Sequence, residues 1–263
     1  MSDISMGCRR MTGKVALIAG AATGIGRASA LRLAQEGAAV VVGSPAAEKD
    51  HIDRLVSEIT AAGGQALGAV FDATDEESIA ALVDASISAF GGLDAVHANF
   101  ADLRVIFDDS DVLTVSDAVL ERTLDVNLKG MARLTRHALP KLLARGGGAM
   151  IYTSSTASKV GEPVRPCYAM AKAGINALMR HVASGWGRQG VRANAIMPGL
   201  VITPEKRKTM PSDLQEQVLA EGRSPRLGQV EDIAAMVALL ASRDGEWING
   251  QCIAVDGGST LTA

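Results

Sequence analysis

The chain has 263 residues, 48% hydrophobic and 21% charged, which suits a globular fold with a substantial core and excludes a disordered polypeptide. Lys plus Arg number 26 against 29 Asp plus Glu, a formal charge of −3, and aromatics are only 3%, so the composition excludes a basic, base-stacking nucleic-acid binder. No uncharged apolar run approaches the roughly 18 residues of a membrane span.

The opening residues, MSDISMGCRRMTGK, have no stretch of signal-peptide length, and 1–12 read as a flexible tail. Three cysteines, Cys8, Cys167 and Cys252, make neither a disulfide framework nor a zinc site. The four histidines have no metal-ligand spacing, so no metal is expected. The expectation is a reduced, cytoplasmic protein.

From Lys14 onward, short apolar runs alternate with longer amphipathic ones. Strands are predicted over Lys14–Ala19, Ala39–Val42, Gln65–Phe71, Asp94–Ala98, Ala149–Thr153, Val191–Met197 and Gln251–Val255. Helices are predicted over Gly26–Gln35, Ala47–Ala62, Glu76–Phe90, Ser116–Ala144, Cys167–Gly185 and Val230–Ala241. Strands apolar on both faces and separated by helices imply an α/β fold: a single doubly wound, Rossmann-type parallel sheet of about seven strands with helices on both faces. Without a linker or repeat, 1–263 read as one domain. Two segments break the rhythm, 102–114, which is acidic, and 198–226, which carries four prolines. Both follow predicted strands, at the edge where open parallel sheets bind ligands, and are candidate substrate loops.

The first strand runs through Gly20, Gly24 and Gly26, spaced G-x-x-x-G-x-G, into a helix. Glycines there let backbone N–H groups approach a pyrophosphate, and the helix N-terminus adds partial positive charge. That context makes 20–26, with Thr23 and Ile25, a dinucleotide-binding loop. Further along, Tyr168 and Lys172 are four apart in a predicted helix and share a face. A cation about 4 Å from a phenol favours phenolate by about 4 kcal/mol at an effective dielectric of about 20. That would bring a group of ordinary pKa about 10 to about 7, where a general acid/base works best. Ser155 follows a predicted strand and can donate to a substrate oxygen.

The glycine spacing, the Tyr168–Lys172 pair, Ser155 thirteen residues before the tyrosine, Asn127 in DVNLKG, the stretch 194–199 and the terminal 255–258 occur in the order of the short-chain dehydrogenase/reductase family, which the chain resembles over almost its whole length. The resemblance implies an NAD(P)(H)-dependent oxidoreductase that moves a hydride between the nicotinamide and a secondary alcohol or ketone. Tyr168 is then the acid/base, with Ser155 and Lys172 beside it, and Asn127 holds a water that relays protons from the lysine. Further cofactor contacts carried over are Ser44 at the end of the second strand, Asp72 and Ala73 at the adenine, Asn99, and Pro198, Gly199, Val201 and Thr203 at the nicotinamide. An Asp72 that simply caps the next helix is the plainer alternative.

Ser44 leaves no carboxylate to repel a 2′-phosphate, yet Thr23 and Pro45 stand where the cations that bind one usually sit. The reading leans narrowly to NADP over NAD. The family's Asn-Asn-Ala-Gly is here Ala98-Asn99-Phe100-Ala101, a local departure. The substrate is expected to be an apolar secondary alcohol or ketone, with cyclic ones among the candidates. An acyl-carrier-protein ketoreductase, using Lys129, Arg133 and Arg136, and an idle nucleotide sensor are the alternatives. Enoyl reduction goes with a wider Tyr–Lys interval. A homotetramer is implied by resemblance, with the two long helices and the last strand at its interfaces.

Overall fold

The computed structural model describes residues 9–203 and 210–261. Seven parallel strands form one sheet: β1 (Val15–Ala19), β2 (Ala39–Ser44), β3 (Gln65–Val70), β4 (Ala95–Ala98), β5 (Gly148–Thr153), β6 (Val191–Pro198) and β7 (Cys252–Val255), in the order β3-β2-β1-β4-β5-β6-β7. Every residue of β1, β2 and β4 is buried, as expected of strands covered on both faces, whereas β3 lies at an edge and stays half exposed. Alternate residues feed two cores. Leu17, Val41, Val96 and Met150 face α3 (Glu76–Phe90), α5 (Gly130–Ala144) and α6 (Pro166–Trp186). Ile18, Val40, Val42 and Ile151 face α1 (Gly24–Gln35), α2 (Lys49–Ala61) and α8 (Val230–Ala241). The order in which strands are added reverses between β1 and β4, the switch point where such sheets open a crevice at their carboxyl edge.

Three predicted elements differ. The stretch 116–144 is not one helix: α4 (Asp117–Leu124) passes through a π-helical turn, Asp125–Lys129, before α5 begins. The prolines at 198–226 hide a helix, α7 (Ser212–Glu221), which starts just beyond Pro211. The flexible tail over 1–12 is corrected for 9–12: Met11 is fully buried and donates its N–H to the Glu36 carbonyl at 2.9 Å. Arg10 adds two hydrogen bonds, 2.7 and 2.6 Å, to the buried Glu36 carboxylate. Residues 1–8, with Cys8, lie outside the described residues, as do 204–209 of the second candidate loop.

The altered motif after β4 fits through a neighbour. Phe100 is buried and meets Phe71 edge-on, ring centroids 5.4 Å apart. Its ring lies where a Cβ on Gly130 would stand, 2.9 Å from Cε2, so the larger residue is accommodated by a missing side chain on α5. Because Met11 is a core residue, Met11→Ala is expected to destabilise the protein by about 2–5 kcal/mol in urea unfolding. A change below about 0.5 kcal/mol would return residues 9–12 to the status of a tail.

Candidate active site

The glycine loop leaves β1 with Gly20 at φ +89°, and a Cβ there would stand 2.8 Å from the Phe100 backbone. A Cβ on Gly26 would collide with the Gly20 carbonyl oxygen, so loop and helix meet only because both are glycine. Gly24 opens α1 at φ +54° with no atom within 4 Å of its Cβ position, and Thr23, the N-cap, makes no side-chain cap bond. Uncapped helical N–H groups beside an open glycine are the donor set a pyrophosphate takes, so the loop fits the dinucleotide expected there.

The other predicted cofactor residues stand at the carboxyl ends of successive strands. Ser44 closes β2, but it is fully buried and its Oγ accepts from the Ala22 N–H at 3.0 Å, so it shapes the glycine loop instead of presenting an open hydroxyl. The Asp72 carboxylate accepts from Thr74 N and Oγ1 at 2.8 and 2.7 Å, while the cap of α3 is Asp75; the plainer alternative for Asp72 does not hold. Ala73 gives its carbonyl to Arg133 at 3.1 Å. Pro198 ends β6, Gly199 donates to the Val255 carbonyl at 3.2 Å, Val201 bridges to Gly228, and Thr203 follows.

Asn99 belongs to a buried relay. Its Nδ2 donates to the Gly20 carbonyl at 2.9 Å and its Oδ1 accepts from the Thr153 hydroxyl at 2.9 Å. With its proton given to Asn99, Thr153 Oγ1 accepts from His97 Nε2 at 2.9 Å. Burial pushes His97 down to about 3, so it is a neutral, packed strand histidine.

Of the four catalytic candidates, three are brought together directly. Ser155 follows β5, and its side chain draws the Tyr168 phenol down, opposing the burial that raises it above its ordinary pKa. Lys172, one turn on along α6, has its ammonium 5.5 Å from the Tyr168 ring centroid and 2.8 Å from the Thr153 carbonyl. It is 2% exposed, and burial pushes it down to about 8. The expectation of a phenol brought near 7 by this cation alone is therefore corrected: the lysine lies under the ring at more than the assumed separation, and burial of the phenol outweighs it. Asn127 sits in the π-helical turn, a distortion frequent at functional sites. It does not bond within its own turn; Oδ1 accepts from the Asp102 N–H at 2.7 Å, and its buried Nδ2 has no partner among the described residues.

Sequence reasoning missed Thr153, whose carbonyl and hydroxyl serve both halves of the site, and Asp109, which binds the first turn of α6. It also missed the buried Asp102, held by Arg104 and Arg122 at 2.6 and 2.8 Å. No spacing singles out either aspartate within the acidic run 102–111. Cys167, beside the tyrosine, is wholly buried with its thiol pushed up to about 11 by burial and by Asp109, which is unsuited to a redox switch. Among the described residues no cluster of His, Cys, Asp and Glu could hold a metal, and no helix is long and apolar enough to cross a membrane.

A doubly wound sheet with a glycine loop at its switch point and a Ser–Tyr–Lys set, its lysine buried, at the same edge defines a nucleotide-dependent oxidoreductase. A family model described as enoyl-(acyl carrier protein) reductase matches residues 20–260. The cis-4-hydroxycyclohexanecarboxylate dehydrogenase of Sinomonas cyclohexanicum is 37% identical over 94% of this chain and 96% of its own length. A 3-oxoacyl-(acyl-carrier-protein) reductase of Thermotoga maritima is 32% identical over 96% of this chain and all of its own. A solved 7α-hydroxysteroid dehydrogenase, complexed with NADH and 7-oxo glycochenodeoxycholic acid, superposes with TM-score 0.88 at 29% identity, covering 98% of this chain and 100% of its own. The chain belongs to the short-chain dehydrogenase/reductase family and is an NAD(P)(H)-dependent oxidoreductase acting on secondary alcohols and ketones.

A lysine at about 8 when folded and 10.5 when unfolded is charged in both states below pH 8, and its burial then costs about 3 kcal/mol. Between those values the unfolded chain holds the proton and the folded one does not, so this penalty fades as pH rises. Lys172→Met is therefore expected to raise the melting temperature of the cofactor-free protein at pH 7 and to lose that advantage toward pH 10. Turnover should fall at least 100-fold. A variant less stable than wild type at every pH would contradict this account of the lysine.

Proposed function

We propose that the chain interconverts a small alicyclic secondary alcohol and its ketone, with Tyr168 as general acid/base. The observation that carries the reading is the hydroxyl pair of Ser155 and Tyr168 above the buried Lys172, at the sheet edge that the glycine loop also faces. A substrate oxygen between the two hydroxyls accepts from Ser155, which stabilises negative charge developing on it. Tyr168 takes the carbinol proton in oxidation and returns it in reduction. Lys172 favours the phenolate from beneath, and Asn127 holds the water that passes protons onward from the lysine. When bound, NAD(P)(H) supplies the hydride donor or acceptor. Gly20, Thr23, Gly24, Ile25 and Gly26 would hold its pyrophosphate, on a loop shaped by Ser44; Asp72 and Ala73 its adenosine side; Asn99, Tyr168, Lys172, Pro198, Gly199, Val201 and Thr203 its nicotinamide side.

Exposed apolar side chains on the segments after β4, β5 and β6, namely Leu103, Phe107, Val164 and Leu200, suit an apolar substrate. The dehydrogenase relative named for a hydroxycyclohexanecarboxylate supports a ring alcohol. The carrier-protein ketoreductase reading draws on the Thermotoga relative, yet its cationic surface is internally neutralised: Arg133 pairs with Asp125 at 2.9 Å and Arg136 with Glu76 at 2.6 Å. NADP(H) ranks narrowly ahead of NAD(H), because the end of β2 bears Ser44 and no carboxylate. Against it, Lys49 is paired with Asp53 at 2.5 Å and Arg54 bonds the Asp50 carbonyl. A cytoplasmic homotetramer completes the reading; fully exposed Trp247, shortly before the edge strand β7, suits a contact between subunits.

Thermal unfolding with each nucleotide and turnover on cyclic alcohols and ketones test the reading together. A nucleotide at about 100 times its dissociation constant stabilises by about 2.7 kcal/mol. The larger shift is expected with NADPH. Tyr168→Phe should retain that shift and lose turnover at least 1000-fold. Turnover confined to carrier-protein thioesters would overturn the substrate reading, and undiminished turnover in Tyr168→Phe would overturn the assignment of the acid/base.

A further inference from the structure

α6 begins in an unusual way. Its N-cap residue, Arg165, is the one non-glycine residue at positive φ, +66°, among those described, and its side chain caps nothing. Pro166 at the first helical position has no N–H to offer. The next two donors, Cys167 N and Tyr168 N, are both taken by the carboxylate of Asp109, at 3.2 and 2.8 Å, from 58 and 59 residues away in sequence. The Asp109 carbonyl accepts from Arg165 N at 2.9 Å. Asp109 is 2% exposed. A cap normally comes from the residue that starts the helix; here the substrate-loop candidate provides it. The same segment is held at its other end by the Asp102 N–H on Asn127 Oδ1, 2.7 Å. Residues 102–109 therefore run from one catalytic candidate to another.

We propose that Asp109 is a positioning residue for the reaction, fixing the backbone of Tyr168 so that its hydroxyl meets Ser155 and the substrate, and fastening the 102–114 segment over the catalytic helix. Arg165 is held at its strained φ by this latch, since a left-handed non-glycine residue persists only where its surroundings over-determine it. Asp109 touches neither substrate nor cofactor; it acts through Tyr168. None of the hydrogen bonds of Asp109, to Arg165, Cys167 and Tyr168, reaches the glycine loop, which follows β1.

The proposal rests on Tyr168 as acid/base, and the test separates the two. Asp109→Ala and Asp109→Asn are assayed well below their melting temperatures, with saturating NAD(P)H and the cyclic ketone that wild type turns over best. Asp109→Ala is expected to lower kcat at least tenfold and leave the KM for the nucleotide within twofold. Asp109→Asn, which keeps one acceptor oxygen, should recover part of the loss. Combined with Tyr168→Phe, Asp109→Ala should bring no further loss, because both act on one group. Amide exchange should quicken at 165–168 and not at 20–26. A kcat within twofold of wild type in both variants, or unchanged exchange at 165–168, would overturn the positioning role and leave the Tyr168 assignment standing. If Asp109→Ala fails to fold, Asp109→Asn decides by the same readings. Full activity in Tyr168→Phe alone would remove the reading beneath it.

Discussion

The ammonium of Lys172 rests 2.8 Å from the carbonyl of Thr153, with almost no solvent contact, and the arrangement of the site follows from that buried cation. A charge taken out of water at a helix–sheet junction is tolerated only if the surroundings hold it firmly. The last residue of β5 does so. Because a strand's final carbonyl has no further neighbour in the ladder to serve, it is available to the lysine, and the lysine's own backbone carbonyl accepts from the Ser154 hydroxyl at 3.1 Å. Strand end and helix are thus bonded twice, which sets the height of α6 over the sheet and so the place of Tyr168.

Thr153 extends the constraint sideways. Its hydroxyl has one proton and spends it on Asn99, which fixes which end of that amide faces the Gly20 carbonyl. His97 supplies the remaining bond with its Nε2 proton, so the chain of donors runs one way from β4 through β5 to the glycine loop. Nothing in this relay is charged. The loop that would cradle a dinucleotide and the carbonyl that holds the buried lysine are therefore fixed by the same residue, and a displacement of one is felt at the other.

Much of this was legible in sequence because it depends on short-range patterns. Uninterrupted apolar runs such as VALIA identify central strands, glycine spacing identifies the loop, and a Tyr and Lys four apart must share a helix face. What was hidden depends on long-range contacts. No local signal separates Asp109 from Asp108 or Asp111, because its partners lie nearly sixty residues away. The packing of Phe100 is set by the absence of a side chain at Gly130, on another helix. Met11 looked like tail because three polar or charged neighbours surround it, and its partner Glu36 lies beyond β1 and α1. The π-helical turn at 125–129 spans only five residues, too short to carry a periodicity of its own within 116–144.

The protonation state of the cofactor-free site also has a direction. Burial lifts the Tyr168 phenol and lowers the Lys172 ammonium, so each group is moved toward its neutral form. A phenol held protonated at neutral pH is ready to donate to a ketone oxygen, whereas abstraction of an alcohol proton first requires the phenolate. Arg165 and Ser155 work toward that anion while Glu162 works against it, and Lys172 at about 8 keeps most of its charge at neutral pH. On the proposed assignment of Tyr168 as acid/base, a protonated phenol suits donation to a ketone oxygen at neutral pH, and abstraction of an alcohol proton gains as the pH is raised.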